Sequence, residues 1–467
     1  MTPARSLLAA IAAWAISAQA APDPFPSTYR TPATTPTLIR NATVLDGTGR
    51  RLDGADVMMR DGRIVAVGAG LAADGATVVD AQGRWVTPGL IDLHSHLGVY
   101  ASPGVNAHQD GNEATDPVTS GVWAEHGLWP QDPGFAAARA GGITTMQILP
   151  GSANLIGGRG VTVRNVPATT MQDMKFPGAP HGLKMACGEN PKRVYGEKGR
   201  APSTRMGNVA GYRQAFADAQ DYRRQHEQYQ RDLAEYQSQQ SGGRKQDSGA
   251  KQPTPPKRDL RLETLVAAMD GEIRVHIHCY RADEMAVMLD IAREFGFRIA
   301  AFHHGVEAYK VADRLAAEGV CGALWADWWG FKMEAYDAIW ENIAFVDAPA
   351  NGCAIVHSDS AEGIQRLNQE AAKAMTRGRR AGLDIPPERA IRWLTANAAR
   401  ALGIESKVGT LEPGKLADVV VWNRDPFGVY AMADLVYVDG ALVYDRAAPA
   451  AAPASDFLLG QPAGGAP

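Results

Sequence analysis

Several features that indicate other classes of protein are missing from this chain of 467 residues. Lysine and arginine total 47 against 51 acidic residues, a net charge of −4 with no polybasic field, so neither nucleic acid nor an anionic membrane is an expected partner. The glycine-rich segment 152–160 lacks the Lys-Ser/Thr of a phosphate loop, and no helix pattern follows it. We interpret it as closely packed backbone. The remaining composition, 45% hydrophobic and 21% charged, is typical of a globular protein.

Cysteine is also scarce, and its spacing excludes a zinc knuckle or a dithiol redox motif. The four cysteines form no Cys-x-x-Cys pair. Each lies in or beside an apolar, strand-like segment, so we expect buried free thiols. These residues are Cys187, Cys279, Cys321 and Cys353.

The N-terminus has the pattern of a cleavable signal peptide over residues 1–20. Arg5 gives a positive start, Leu7 to Ile16 is a short apolar run, and Ala18-Gln19-Ala20 is a small-x-small cleavage site. The alternative is an uncleaved anchor, but the run is short for a bilayer and no later stretch reaches that length. We therefore expect a periplasmic or secreted protein with no membrane partner in its mature form.

Two groups of short strands at the chain ends enclose a long region in which strand and helix patterns alternate. The first group lies in 37–88 and the second in 404–446, each with turn signals between strands. Alternation over 89–403 predicts βα units and a parallel sheet. The predicted barrel strands are Gly89–Leu93, Thr144–Leu149, Val161–Arg164, Gly182–Ala186, Arg274–Cys279, Arg298–His303, Gly319–Leu324 and Gly352–Val356.

An insertion at 211–258 interrupts this alternation. Tyr212 to Gln240 is rich in Gln, Arg, Glu and Tyr and predicts a long polar helix, whereas Ser241 to Lys257 is of low complexity. The helix can be an arm that binds a partner subunit, or a solvated excursion that packs by its tyrosines. A homo- or hetero-oligomer is expected, and 447–467 is predicted to be a flexible tail.

The most informative stretch is TPGLIDLHSHLG, residues 87–98. An apolar strand ends in His94 and His96, and side chains at i and i+2 share one face of a strand, so both imidazoles point towards one metal ion. This stretch resembles the first barrel strand of the amidohydrolase superfamily, and GTLEPGKLADVVVW (409–422) resembles its closing segment. The resemblance extends from about Leu38 to Asp445 and is nearest to the imidazolonepropionase-like members.

The resemblance implies an α/β fold: a (β/α)8 TIM-type barrel with a small discontinuous β-sandwich built from both chain ends. It also implies further metal ligands at strand ends, namely His278, His304 and Asp359. His276 would lie deeper on the face of His278, and His303 would be packed or support a ligand. The expected cofactor is a divalent metal, with zinc foremost, as one or two ions.

A second ion would need a bridging group, and two residues compete for that role. Lys184 occupies the place where some members carry a carboxylated lysine, and Glu189 the place where others use a glutamate. Five positions apart on one strand, they would face opposite ways. We favour Glu189 slightly, because it needs no modification.

These features predict hydrolysis of a carbon–nitrogen bond in an amide, cyclic amide, N-acyl compound or dipeptide. The ion activates a water, and the resemblance implies that Asp359 takes its proton and delivers it to the leaving nitrogen. A deaminase of a cyclic amidine and a non-catalytic partner subunit are the alternatives. Arg193, Tyr280 and Arg281 can pair a substrate carboxylate, and Trp328 and Trp329 can contact an apolar group.

Overall fold

A computed structural model describes residues 23–241 and 251–448. The signal peptide and most of the C-terminal tail lie outside these residues. No helix in the described part is long and apolar enough to cross a membrane.

The strands are β1 Thr37–Leu45, β2 Arg51–Arg60, β3 Arg63–Gly68, β4 Thr77–Asp80, β5 Trp85–Pro88, β6 Leu90–Ser95, β7 Ile143–Ile148, β8 Ile156–Arg164, β9 Gly182–Ala186, β10 Arg274–Cys279, β11 Ile299–His304, β12 Cys321–Leu324, β13 Ala354–Val356, β14 Val419–Trp422, β15 Ala433–Val438 and β16 Ala441–Asp445. The α-helices are α1 Pro133–Ala140, α2 Met171–Met174, α3 Glu189–Gly196, α4 Arg205–Ser241, α5 Leu260–Met269, α6 Ala282–Phe295, α7 Ala312–Glu318, α8 Asn342–Asp347, α9 Leu367–Arg380, α10 Pro387–Ala390 and α11 Ala396–Leu402.

The two ends of the chain form one eight-stranded sheet in the order β16-β15-β14-β5-β1-β2-β3, with β4 beside β1. The joint between the ends is antiparallel pairing of β14 with β5, which sets Val419 opposite Pro88 and Trp422 opposite Trp85. Apolar residues from both ends, including Val86 and Val421, pack in one core. The two ends thus share a sheet, and its arrangement as a two-layer sandwich stays a prediction.

Strands β6 to β13 form a second eight-stranded sheet in sequence order, which curls into a nearly closed barrel. The backbone N–H of Asp359, after β13, donates to the carbonyl of His94 on β6 at 3.0 Å and brings the two edge strands together. Helices cover the outside: Met285, Leu289 and Ala292 of α6 recur at helical spacing and are buried. The mixed α/β fold with a barrel sheet is therefore confirmed.

One predicted barrel strand runs in the wrong direction for an all-parallel barrel. Strand β8 pairs antiparallel with both β7 and β9. A parallel pair needs a crossover of a dozen or more residues, and the link 149–155 between β7 and β8 is too short for one. At Gly158 a Cβ would lie 2.3 Å from the carbonyl oxygen of Val122, so the interpretation of closely packed backbone is confirmed.

The polar insertion is a helix of 37 residues, α4, and it begins at Arg205, earlier than predicted. Its first turns belong to the core, since Tyr212 and Phe216 are buried. Tyr222 is also buried, and its hydroxyl accepts from the backbone N–H of Asp259 at 3.4 Å. Tyr229 and Tyr236 are half-buried. The first half of α4 therefore packs on the barrel, and both interpretations of the second half stay predictions.

The expectation of free thiols was wrong, because the cysteines form two disulfides. Cys187 bonds Cys279, and Cys321 bonds Cys353. Cys187 follows β9 and Cys279 ends the neighbouring strand β10. Likewise, Cys321 begins β12 and Cys353 precedes its neighbour β13. Parallel neighbours bring residues together that are 92 and 32 positions apart in sequence, which spacing alone does not reveal.

A buried ion triad connects the barrel to the sheet of chain ends. Arg164 of β8 is fully buried and donates to Asp418 at 2.6 Å and to Asp439 at 2.5 Å. Asp439 also accepts from the Tyr29 hydroxyl at 2.6 Å. Asp418 and Asp439 flank strands of the sheet of chain ends, so one guanidinium of the barrel forms ion pairs with that sheet.

We expect Arg164→Ala to lower the free energy of unfolding by about 3–5 kcal/mol, because two buried carboxylates would lose their counter-charge. Chemical denaturation measures this change. Arg213→Ala is the control, since Arg213 pairs with Glu294 on the surface and such pairs contribute little. Equal midpoints for the two variants would contradict a stabilising role for the triad.

Candidate metal centre

Ionisable side chains from the barrel strands converge on one cavity of about 350 Å³. Strand β6 carries His94, with His96 just after it, and β9, β10 and β11 carry Lys184, His278 and His304. Asp359 follows β13. All of these residues line the cavity together with Ser152, Asn190, Tyr280, Trp325, Trp328, Phe331 and Lys332.

Two of these side chains reach the cavity from an uncommon backbone conformation. His304 has φ 70° and Asp359 has φ 53°, in the left-handed region that non-glycine residues rarely adopt. The backbone around them holds this conformation: the N–H of Gly305 donates to the Cys279 carbonyl at 3.0 Å and that of Asp359 to the His94 carbonyl. Such strain persists where surrounding structure enforces it, often at functional sites.

The donor atoms lie close enough to share a cation. His96 Nε2 is 3.1 Å from Asp359 Oδ1, and His94 Nε2 lies 3.1 Å from His96 Nε2 and 3.5 Å from the same carboxylate. A second group joins His94 to His304 and His357, again with ligand atoms within 4.8 Å of one another. Imidazole nitrogen and carboxylate oxygen are the donors that zinc prefers.

Unpartnered nitrogens indicate that something else completes this cluster. Nδ1 of His304 and both ring nitrogens of His357 are buried without a hydrogen-bond partner, although buried polar atoms are normally paired. A divalent cation among these rings would pair with their lone pairs. The residues present therefore fit a metal ion.

The electrostatics favour the ligand form of each group. Burial, together with the charge of Lys184, holds the pKa of His94 and His304 well below the ordinary value and lowers that of His357 to about 3. These three imidazoles are therefore neutral. Burial alone would raise the pKa of Asp359, but its hydrogen bond with His96 and the charge of Lys184 help to lower it overall, so Asp359 is a carboxylate.

The two candidates for a bridging group are placed differently. Lys184 is buried, and its Nζ lies 3.2 Å from His94 Nε2; burial lowers its pKa to about 8. Glu189 begins α3, where its backbone N–H donates to Glu334 at 3.0 Å. The side chain of Glu189 is 30% exposed and lies 3.8 Å from Lys332. The structure thus brings Lys184, and not Glu189, to the histidines.

Behind His94 runs a chain of hydrogen bonds. His94 Nδ1 lies 2.8 Å from His303 Nδ1, and His303 Nε2 lies 2.9 Å from His276 Nδ1. His276 Nε2 faces the amide of Gln147 at 3.4 Å. The Gln147 atom at this distance is the amide nitrogen, and the Gln147 oxygen has no hydrogen-bond partner among the described residues. With that amide turned over, its oxygen accepts from His276. If His94 donates from Nδ1, each ring then donates to the next, and Nε2 of His94 keeps its lone pair for a metal. His303 thus contacts a candidate ligand, and its supporting role stays a prediction.

The predicted substrate contacts divide into two sets. Tyr280 and Trp328 line the cavity, whereas Trp329 packs against the cluster of Tyr280 and Trp325. Arg193 and Arg281 lie on neighbouring clefts, and Arg281 pairs with Asp283 at 2.8 Å.

Sequence reasoning missed His357 and Lys332 as site residues. His357 lies two positions before Asp359, so strand alternation could have placed it on the same face. Lys332 reaches the cavity from the loop after β12, and no local pattern marks it.

Known proteins give matching findings. A model of the amidohydrolase family matches residues 342–443. The amidohydrolase tasK of Hapsidospora irregularis is 32% identical over 452 residues, 88% of this chain but only 43% of that protein, so this chain spans under half of its length. An imidazolonepropionase of Mesorhizobium japonicum is 25% identical over 85% of this chain and 92% of its own length.

Among solved structures, the fold is similar to an amidohydrolase from Thermotoga maritima MSB8. The TM-score is 0.76 and the identity 34%, over 88% of this chain and 100% of that one. Members of this family typically depend on metal ions, in keeping with the His/Asp groups of the barrel. On these grounds the chain belongs to the amidohydrolase family.

Proposed function

We propose that this protein hydrolyses a carbon–nitrogen bond of a small substrate with the help of one or two divalent ions, zinc foremost. The observation that carries the proposal is the convergence of His94, His96, His278, His304 and Asp359 on one cavity. The unpartnered ring nitrogens of His304 and His357 add support. A bound divalent ion lowers the pKa of water and polarises a carbonyl group.

The protein's own groups would handle the proton. Asp359, held as a carboxylate beside His96, accepts a proton from the attacking water as the new carbon–oxygen bond forms. Its carboxyl group then returns the proton to the nitrogen as the carbon–nitrogen bond breaks. Tyr280 and Trp325, which are buried at the wall of the cavity, limit the access of bulk water to these steps.

Lys184 is the better candidate for the bridging group. Its uncharged amine can react with carbon dioxide to form a carbamate and release one proton. The carbamate supplies two oxygens among the histidines. Burial favours that uncharged amine, and Lys184 has no carboxylate partner in the described part of the chain. This proposal replaces the slight sequence-based preference for Glu189.

The finer features remain proposals as well. The relative named imidazolonepropionase covers most of this chain, so cyclic amides belong in a substrate screen beside N-acyl compounds and dipeptides. We also propose export through the N-terminal signal peptide to a periplasm or the outside. Two disulfides agree with an oxidising compartment.

Metal analysis of protein purified without chelator tests the proposal. We expect up to two divalent ions per wild-type chain and almost none in His94→Ala/His96→Ala, because both histidines lie at the centre of the cluster. Lys184→Ala should lose metal, whereas Glu189→Gln should retain it and serves as the matched control. Loss in Glu189→Gln alone would reverse that assignment.

Hydrolysis is then assayed on metal-loaded protein with amides, cyclic amides, dipeptides and cyclic amidines. Release of ammonia from amidines alone would indicate a deaminase. A fully loaded protein that hydrolyses none of them would be a non-catalytic subunit, and the proposal would be wrong.

A further inference from the structure

Lys332 carries a charge that its surroundings leave poorly paired. It lines the same cavity as the histidines, and its side chain is 14% exposed. Its Nζ donates to the amide oxygen of Asn190 at 3.2 Å, lies 4.2 Å from the centre of the Tyr280 ring, and is 3.8 Å from Glu189. None of these contacts is a close ion pair.

Two other cations around the barrel mouth differ in this respect. Arg205 contacts the carboxylates of Glu284 at 3.0 Å and Glu334 at 2.6 Å. Lys310 donates to Asp337 at 2.6 Å. A half-buried ammonium without such a partner costs free energy, and an anion in the cavity would remove that cost.

A second donor lies near Lys332. The Asn190 side chain, which accepts from Lys332, donates through its own NH₂ to the Ser152 oxygen at 2.9 Å. The Ser152 hydroxyl proton donates to no residue in the described ranges, and Ser152 lines the cavity. An ammonium and a hydroxyl linked through Asn190 form one polar side of the cavity.

Aromatic side chains line the rest. The ring centres of Trp325 and His304 are 4.2 Å apart, and Trp325 lies 6.2 Å from Trp328 and 6.0 Å from Phe331. Trp328 and Phe331 are 45% and 62% exposed. This side is suited to an apolar or ring-bearing group.

We propose that Lys332 and Ser152 bind a free carboxylate on the substrate, while Trp325, Trp328 and Phe331 contact an apolar acyl group. The substrate class is then a small N-acyl amino acid or a dipeptide with an apolar N-terminal part. A cavity of about 350 Å³ fits compounds of that size. Lys332 thus takes the place that sequence reasoning gave to Arg193 and Arg281. This inference rests on the proposed hydrolytic function.

The test compares two substrates that differ only in the carboxylate. One is an N-benzoyl amino acid, and the other is the corresponding N-alkyl benzamide, a neutral amide that lacks the carboxylate. We expect metal-loaded wild type to prefer the acid by about 10–100-fold in kcat/KM, mainly through KM, as for a hydrogen bond to a charged group. Lys332→Met should lower kcat/KM for the acid far more than for the neutral amide, and so remove that preference. Lys332→Arg should keep part of it, and Lys310→Met should change nothing.

The outcomes separate this inference from the proposed function. Equal kcat/KM values of wild type for the acid and the neutral amide would overturn the carboxylate site, and so would a preference for the acid that survives in Lys332→Met. Neither result would contradict the proposed hydrolytic function. Hydrolysis only of substrates without a carboxylate would overturn it too. No hydrolysis by loaded wild type of any amide, cyclic amide, dipeptide or amidine would overturn the proposed function itself.

Discussion

Asp359→Asn is expected to reduce hydrolysis by roughly 10²–10⁴-fold, the range of general acid–base catalysis. The amide oxygen of asparagine cannot take a proton from water, although its shape is the same. Asparagine also tolerates the left-handed backbone of residue 359 (φ 53°), so the fold should survive. The measurement is kcat at saturating substrate and metal, with metal content determined on the same preparation.

Asp327→Asn is the matched control. Asp327 lies in the loop after β12 and pairs with Lys373 at 2.6 Å, outside the histidine cluster, so its loss should not change kcat. A fully active, metal-replete Asp359→Asn would show that another group accepts the proton, and His357 would be the next residue to test.

His303→Phe is expected to weaken metal binding by about 10–100-fold, the usual effect of removing a partner behind a ligating histidine. Phenylalanine keeps an aromatic ring but leaves His94 Nδ1 and His276 without their common partner. His94 can then adopt either tautomer, and one of them presents a proton to the metal. Competition with a chelator measures the affinity.

A purely structural role would give a different result. If His303 sets the tautomer of His94, excess metal should restore kcat in His303→Phe, and His303→Gln, which keeps a donor and an acceptor, should recover part of the affinity. His226→Phe is the control, because His226 lies on α4 beside Tyr222. Wild-type affinity in His303→Phe would mean that the hydrogen-bond chain is dispensable.

The positions of the barrel strands could be predicted from the sequence, because they depend on local residue patterns. All eight predicted barrel strands overlap observed ones, because apolar runs between turn signals determine where strands form. Strand direction depends on connections, and β8 runs opposite to the expected direction because its link to β7 is short. The disulfides depend on which strands become neighbours, so they could not be found from spacing.

The site follows the same division. His94 and His96 share a strand, so alternation alone predicted that their side chains point the same way. Glu189 lies beyond Gly188, whose φ of 81° turns the chain away from β9, and a Cβ there would lie 2.3 Å from Glu334. Neither that turn nor the approach of the loop carrying Lys332 has a sequence pattern of its own.

The pairing of β5 with β14 has a consequence for the order in which the protein forms. Strand β5 can pair with β1 early, but it lacks its second neighbour until residues 419–422 have been synthesised, and Arg164 lacks Asp418 and Asp439 until the same late stage. The barrel between them is nearly complete by then. One N-terminal strand is therefore among the last to find a final partner, although β1 to β4 pair within residues 37–88. Such distant contacts form slowly. Until then, β5 exposes one unpaired edge, the kind of edge at which partly folded chains aggregate.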